Sequence, residues 1–278
     1  MALAKWLATM LGVGILCSAL PATAAPARNH RIVSIHVCAD QLALMLADPG
    51  DVASVSYNAL DPEYSVMVEA ARGIPVNHGH AEEVISHDPD IVIAGRHSAG
   101  PTIRLLRRLG YRVLEVATAN SFDDVREQIR LVAGAIGRAE RGDRIIAELD
   151  ARLRAVAGRY HDTNPRAVIY HINNQTIGGQ SLVNEIMELV GLQNYAATLG
   201  TIGYGHLSLE RLLAGEPDLL ILEGARTNAP SVGRAALSHP ALQQMLKKTP
   251  SVVVPSRLWA CPGIAIAEAA HRLAEALK

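Results

Sequence analysis

Two copies of one sequence pattern organise this chain: Glu82-Glu-Val-Ile-Ser-His-Asp-Pro-Asp-Ile-Val-Ile-Ala94 and Glu210-Arg-Leu-Leu-Ala-Gly-Glu-Pro-Asp-Leu-Leu-Ile-Leu222. Each copy predicts a short helix that begins at its glutamate, then a Pro-Asp turn, then a buried aliphatic strand. Because the copies occupy equivalent places in the two halves of the chain, we interpret them as an internal repeat. The repeat predicts two similar lobes.

Around both copies, short aliphatic runs alternate with helical patterns. Further strands are predicted at residues 31–35, 52–57, 111–116, 166–170 and 251–254. Further helices are predicted at residues 39–47, 62–71, 102–109, 182–190, 239–247 and 263–277. Strands that alternate with helices form parallel sheets covered on both faces. The sequence therefore predicts an α/β fold with two parallel-sheet lobes.

The stretch 121–161 contains no proline and predicts the connection between the lobes. Ser121 and Asp124 resemble a capping box, which is typical of a helix start. Gly137 and Gly142 interrupt the apolar stripe that follows, and a second helix of about 30 Å then resumes it. The predicted segments are an N-terminal lobe, a connecting helix and a C-terminal lobe, at residues 25–136, 137–160 and 161–278. Such lobes leave a cleft between them, where open α/β sheets bind ligands.

Residues 1–24 have the layout of a cleavable signal peptide. Lys5 supplies a positive charge, residues 7–20 form an apolar run, and Ala22-Thr-Ala24 has the small residues of a cleavage site. The apolar run is too short to span a bilayer comfortably. We therefore expect export as a soluble protein, with a retained membrane anchor as the alternative.

Composition and motifs disfavour several classes of function. The net charge is −1 and the chain has no basic tract, which argues against nucleic acid or an anionic membrane surface as a partner. The sequence contains no G-x-S-x-G, no H-E-x-x-H, no phosphate-binding glycine loop and no dinucleotide fingerprint. Export without a catalytic motif favours transport over enzymatic activity.

Two cysteines follow the signal segment, Cys38 and Cys261. In an oxidising compartment an even number of cysteines favours a disulfide. Separate buried thiols and soft ligands for a bound metal centre are the alternatives.

Short motifs spread along most of the chain carry a family resemblance. They lie at residues 31–35, 81–85, 89–93, 178–179, 184–185, 190–194 and 210–218. In order and spacing they resemble the periplasmic substrate-binding proteins of ABC importers for vitamin B12 and ferric siderophores, a family with haem-binding relatives. The resemblance implies two Rossmann-like lobes joined by one long helix, with a cleft between them.

The same resemblance implies a function. The protein would be periplasmic and monomeric, would have no cofactor of its own, and would bind a metal chelate (cobalamin or a ferric complex) in the cleft. It would then deliver that chelate to a permease dimer in the inner membrane. One glutamate on each lobe would dock against arginines of the permease, and by position these are Glu82 and Glu210. Glu83 is an adjacent alternative to the first of them.

The loops that follow the strands, and a glycine-flanked loop at residues 203–206 before the second copy of the repeat, hold the side chains expected at the cleft. The candidate ligand-binding residues are His36, Cys38, Tyr57, Arg96, His97, His171, Tyr204, His206, Arg226, Arg257 and Trp259. A tyrosine, histidine or cysteine could coordinate the metal of a chelate or of haem. The arginines could hold carboxylates through paired hydrogen bonds. Tyr57 and Trp259 could lie flat against a macrocycle.

Three alternatives to this interpretation stay open. The first is a haem binder, and the second a carrier of free transition-metal ions that uses the histidines His36, His97, His171 and His206. The third is a chelatase-like enzyme. The sequence leaves the identity of the chelate open, because Trp259 is the one tryptophan available beyond the signal segment, whereas B12 binders of the family tend to have several.

Overall fold

The computed structural model describes residues 31–158, 164–222 and 239–277. Its two α/β lobes with parallel sheets confirm the predicted fold class. The predicted signal peptide, residues 1–24, and Arg226 lie outside the described residues. No helix within the described ranges is long and apolar enough to cross a membrane.

The N-terminal sheet has parallel strands in the order β3-β2-β1-β4-β5. Its strands are β1 Ile32–Ser34, β2 Val52–Ser56, β3 Val76–Asn77, β4 Ile91–Gly95 and β5 Val113–Val116. Residues of β1 and β4 are buried because helices cover both faces of the sheet. The strand order reverses between β1 and β4, so the carboxyl ends of these two strands open a crevice.

Five helices of the N-terminal lobe are α1 Val37–Leu46, α2 Val68–Ala71, α3 Ala81–Ser86, α4 Gly100–Arg108 and α5 Phe122–Ala135. The helix predicted at 62–71 is mostly wrong, because only α2 is helical there. The side chain of Asp61 accepts the N–H of Glu63 at 2.8 Å, and Ser65 accepts that of Met67 at 3.0 Å. Such local side-chain bonds compete with helix formation.

The C-terminal lobe has a parallel sheet in the order β11-β10-β6-β8 and a separate antiparallel pair, β7-β9. The strands are β6 Arg166–Tyr170, β7 Gln175–Ile177, β8 Gln193–Asn194, β9 Tyr204–His206, β10 Leu219–Leu222 and β11 Ser251–Val253. The helices are α7 Leu182–Leu189, α8 Tyr195–Thr198, α9 Leu209–Gly215, α10 Pro240–Leu246 and α11 Ala265–Glu275. The glycine-flanked segment around Tyr204, predicted as a loop, is therefore a strand.

The repeated Pro-Asp turn has the same role in both lobes. In the first lobe the carboxylate of Asp90 accepts the backbone N–H of Arg31 at 2.9 Å. In the second, the carboxylate of Asp218 accepts the backbone N–H of Arg166 at 2.8 Å. Each aspartate thus ties the start of its own strand to the start of the lobe's first strand. The two copies of the pattern are structurally equivalent.

The connection between the lobes consists of α5 and α6, the latter spanning Ala139–Val156. The predicted capping box is present at Ser121, and the helices separate at Gly137, whose φ of 70° a glycine adopts without strain. The predicted interruption at Gly142 is wrong. Gly142 lies inside α6, where a Cβ would come 2.7 Å from the Cβ of Ala133 on α5. The glycine therefore allows the two helices to pack closely.

One apolar cluster runs through both lobes. It includes Ile32 of β1, Val132 of α5, Leu149 of α6, Ile169 of β6 and Ile266 of α11, all fully buried. Because α6 packs against both α5 and α11, the helical connection is part of this shared core. We therefore expect the lobes to move relative to each other only modestly.

Candidate ligand-binding cleft

A cavity of about 400 Å³ lies between the lobes. The N-terminal lobe contributes the segments that follow β1, β4 and β5, and the C-terminal lobe contributes Tyr204, Ser256, Arg257 and residues 260–262. Six of the predicted ligand-binding residues line it: His36, Cys38, Arg96, His97, Tyr204 and Arg257. The crevice at the carboxyl ends of the N-terminal strands is thus covered by the second lobe, as the parallel topology predicts.

His36 occupies the N-cap position of α1, where its backbone is extended. Its Nδ1 accepts the backbone N–H of Cys38 at 3.3 Å, so one of the orphan donors of the helix start is satisfied. Burial lowers the pKa of His36, which keeps the imidazole neutral at neutral pH. Since Nδ1 accepts a hydrogen bond, the proton of the neutral ring resides on Nε2. His36 is therefore set up as a hydrogen-bond donor in the cavity wall.

The two arginines come from opposite lobes. Arg96 follows β4, and Arg257 lies in the short turn after β11. Within the described ranges, neither guanidinium has a carboxylate partner in an ion pair. A guanidinium presents several donors in a rigid fork that matches the oxygens of a carboxylate or phosphate, and also binds amide oxygens. The cavity therefore offers donors from both sides to an oxygen-rich ligand.

Cys38 and Cys261 form a disulfide across the cleft, with a Cα–Cα distance of 4.9 Å. This selects one of the three alternatives for the cysteines. It also corrects the expectation that Cys38 could coordinate a metal, because a sulfur bonded to another sulfur is not a thiolate ligand.

Four predicted residues do not line this cavity. Tyr57 is exposed and stacks on His78, with ring centroids 5.3 Å apart. His171 is buried at the end of β6, and His206 is exposed on β9. Trp259 is only 3% exposed and belongs to the shared apolar core, so its ring does not offer a face to a macrocycle. Burial of a large indole in the core explains this correction.

Other residues that line the cavity had no sequence signal of their own: Tyr64, Ser98, Thr118 and Ser256. Tyr64 lies in the stretch 62–71, where the sequence predicts a helix, but the structure has a turn at Tyr64. Ser98 and Thr118 follow β4 and β5, so their position after a strand could have indicated them.

The free-metal alternative needs several ligands at one place. Within residues 31–158, 164–222 and 239–277, no three His, Cys, Asp or Glu side chains are grouped so that they could hold a metal ion. Of the four histidines considered, His36 and His97 line the cavity.

The candidate docking glutamates both lie in the first turn of a short helix. Glu82 is exposed on α3, and no hydrogen bond or ion pair within the described part of the chain holds its carboxylate. Its neighbour Glu83 accepts the backbone N–H of His78 at 2.6 Å, and this bond is the main reason for its lowered pKa. Glu210 on α9 is exposed, and hydrogen bonds from its own backbone N–H and from Ser208 lower its pKa. Of the adjacent pair on α3, Glu82 is the one left available.

Comparison with known proteins supports this description. Residues 32–252 match the family model described as periplasmic binding protein. The chain is 29% identical over 198 residues to a cobalamin-binding protein of Halobacterium salinarum (strain ATCC 29341 / DSM 671 / R1). That match covers 69% of this chain and 53% of the relative, so the chain spans about half of the relative's length.

Solved structures share the fold. The periplasmic heme-binding protein RhuT from Roseiflexus sp. RS-1 superposes with a TM-score of 0.70 at 23% identity, covering 89% of this chain and 97% of that one. The vitamin B12 binding protein BtuF of Vibrio cholerae gives a TM-score of 0.66 at 18% identity, covering 89% and 96%. The two lobes, the cleft between them and the family match together show that this chain belongs to the periplasmic binding protein family.

Proposed function

We propose that this protein is the solute-binding protein of an ABC importer and carries a metal chelate, either cobalamin or a ferric complex. It would be exported to the periplasm by a cleaved signal peptide, capture the chelate in the interlobe cavity and deliver it to a permease dimer in the inner membrane. The supporting observation is the cavity itself, which has Arg96 and the donor His36 on one side and Arg257 on the other.

The hydrogen-bond donors that line the cavity favour a chelate over a bare metal ion as the ligand. Cationic and N–H donors bind the peripheral oxygens of an organic ligand and repel a free cation. Cobalamin carries amide oxygens, and ferric siderophores and haem carry hydroxamate or carboxylate oxygens, so each would be recognised through its periphery. The relative from Halobacterium salinarum, described as cobalamin-binding, supports placing cobalamin first.

Haem is the second candidate. Tyr204 and His97 line the same cavity and provide the kinds of side chain that coordinate haem iron. RhuT, described as heme-binding, has the same fold.

The test is a titration of the purified protein with cyanocobalamin, a ferric hydroxamate, haemin, and cobalt and iron salts. Trp259 reports binding by fluorescence, because it directly precedes the cavity-lining segment 260–262, and calorimetry checks the affinity independently. We expect saturable binding of one chelate at micromolar or tighter affinity. Saturation by a salt alone, or by none of these compounds, would refute the proposal.

Arginine variants locate the site. Loss of a charge-assisted hydrogen bond costs about tenfold to a hundredfold in affinity, so R96A and R257A should each weaken chelate binding by that factor. R108A is the matched control, because Arg108 is exposed on α4 away from the cavity lining. Equal affinity in all three variants would place the ligand elsewhere.

A further inference from the structure

The Cys38–Cys261 disulfide joins two segments that are 223 residues apart in sequence. Cys38 lies in the first turn of α1, in the N-terminal lobe, and Cys261 lies beyond β11, in the C-terminal lobe. Both half-cystines line the cavity. The disulfide is therefore a covalent bond between the lobes at the binding site itself.

Each half-cystine also lies close to a residue that is proposed to bind the ligand, His36 or Arg257. The backbone N–H of Cys38 donates to the ring of His36. Cys261 is separated from Arg257 by three residues of the same cavity-lining segment, and the Sγ of Cys38 lies 3.7 Å from the carbonyl oxygen of Ala260 in that segment. The disulfide thus links the wall that carries His36 to the wall that carries Arg257.

The other connections between the lobes are of a different kind. Within the described residues they include the packing of α5 and α6, and the carboxylate of Glu185 on α7, which accepts the backbone N–H of Phe122 on α5 at 2.6 Å. Without the disulfide, only non-covalent contacts would oppose a rotation about this helical connection that separates the cavity walls. With the disulfide in place, a covalent link between the two walls opposes the same rotation.

We propose that the Cys38–Cys261 disulfide is the positioning element of the ligand site. It holds the two cavity walls at one spacing, so the site is preformed and admits its ligand without a large opening of the lobes. Preformed walls avoid the cost of selecting a closed conformation, which would otherwise reduce the apparent affinity. The effect on affinity rests on the proposed function, whereas the effect on lobe spacing does not.

The experiment measures the distance between the lobes in solution. Maleimide spin labels are attached at R108C on α4 and H271C on α11, both exposed positions on opposite lobes. Distance distributions from pulsed electron resonance are compared for the disulfide-bonded protein and for the C38S/C261S variant, each with and without cyanocobalamin. We expect one narrow distribution for the bonded protein, unchanged by the ligand. The serine variant should give a broader distribution extending to longer distances, narrowed by saturating ligand, and a roughly tenfold weaker affinity.

Identical narrow distributions in the two proteins without ligand would overturn the proposal, as would a large ligand-induced shift in the bonded protein. Because the ligand-free comparison needs no binding, it decides the question even if cyanocobalamin does not bind.

Circular dichroism checks that the serine variant is folded. If it is not, the bonded protein is reduced under native conditions with dithiothreitol, alkylated with iodoacetamide and measured in the same way. Dithiothreitol supplies two electrons and two protons, so the S–S bond becomes two thiols and the reagent leaves as its cyclic disulfide.

Discussion

Gly95 packs directly against the ring of His36: a Cβ on Gly95 would lie 2.8 Å from the imidazole Cγ and equally close to the Oγ of Ser98. Glycine at the end of β4 therefore leaves the space in which the imidazole is held. We expect G95A to displace His36 and Ser98 and to weaken chelate binding by about tenfold or more. Calorimetric titration of the ligand measures this, with G100A as a control at a glycine whose nearest neighbour is a flexible arginine tip. Equal loss in both variants would show that the ring contact is irrelevant.

Two roles of His36 can be separated by substitution. The ring caps α1 through Nδ1 and is proposed to donate to the ligand through Nε2. Asparagine is a good N-cap residue, so H36N should keep most of the stability that H36A loses, on the order of 1 kcal/mol. Both variants should bind the chelate more weakly, because neither places a donor where the ring has it. Chemical denaturation and ligand titration measure the two effects, and full affinity in H36N would limit His36 to capping.

Burial raises the pKa of Asp40, which is fully buried in α1, to about 6. A hydrogen bond from Ser34, and those from the hydroxyl and backbone N–H of Ser56, offset part of the effect. Between about pH 4 and pH 6 the folded state therefore binds more protons than the unfolded state. The contribution of Asp40 to stability is fully present below pH 4 and is lost as the pH rises through 6. The difference between the ordinary pKa of an aspartate and a pKa of about 6 corresponds to about 3 kcal/mol.

D40N tests this, because asparagine does not titrate. We expect the free energy of unfolding of the native protein to fall from pH 4 to pH 6 by an amount that D40N does not show. Urea denaturation at several pH values measures both. The same pH dependence in D40N would assign it to other groups.

Two glycines of the helical connection should respond oppositely to alanine. A Cβ at Gly142 would lie 2.7 Å from that of Ala133, so G142A should destabilise the protein by about 1–3 kcal/mol through overpacking. Gly134, exposed on α5, has nothing within 4 Å of such a Cβ, so G134A should stabilise it by about 0.5–1 kcal/mol. Thermal unfolding measures the stability of both variants. Destabilisation of equal size in G142A and G134A would show that close packing at Gly142 does not explain the effect.

If Glu82 and Glu210 dock against the permease, as we propose, their loss should affect delivery of the chelate and leave its binding unchanged. E82A/E210A should bind the chelate with unchanged affinity, because neither residue lines the cavity, yet uptake should fall in cells that rely on this protein. E83A serves as the neighbouring control, since Glu83 is held by His78. Loss of ligand affinity in the double variant, or equal loss of uptake in E83A, would contradict the assignment.

The sequence predicted well where the structure depends on neighbours along the chain. The capping box at Ser121 formed because it uses residues three apart. The aliphatic runs of β1, β4, β6 and β10 became buried parallel strands, because period and flanking turns are local signals. The exception at 62–71 is also local, because Asp61 and Ser65 form side-chain hydrogen bonds to nearby backbone N–H groups that compete with a helix.

The site was predicted less completely. The rule that residues just after parallel strands meet at one edge of the sheet placed His36, Arg96 and His97 together, and all three line the cavity. The same rule could not tell that Trp259 faces the core or that Tyr57 stacks outside the cavity on His78. The direction of a side chain in a loop depends on the residues that pack around it, and the local sequence pattern does not specify these neighbours.

What the sequence alone determined is the α/β class, the repeat and the order of strands and helices, since each rests on periodicity, turns or duplicated residues. Tertiary structure alone decided that Cys38 pairs with Cys261, that Gly142 serves helix packing, and that Glu82 rather than Glu83 is left available. Each of these depends on atoms that folding brings together, and for the disulfide those atoms are 223 residues apart. Local patterns specify elements, whereas contacts between elements are specified only when the whole chain has packed.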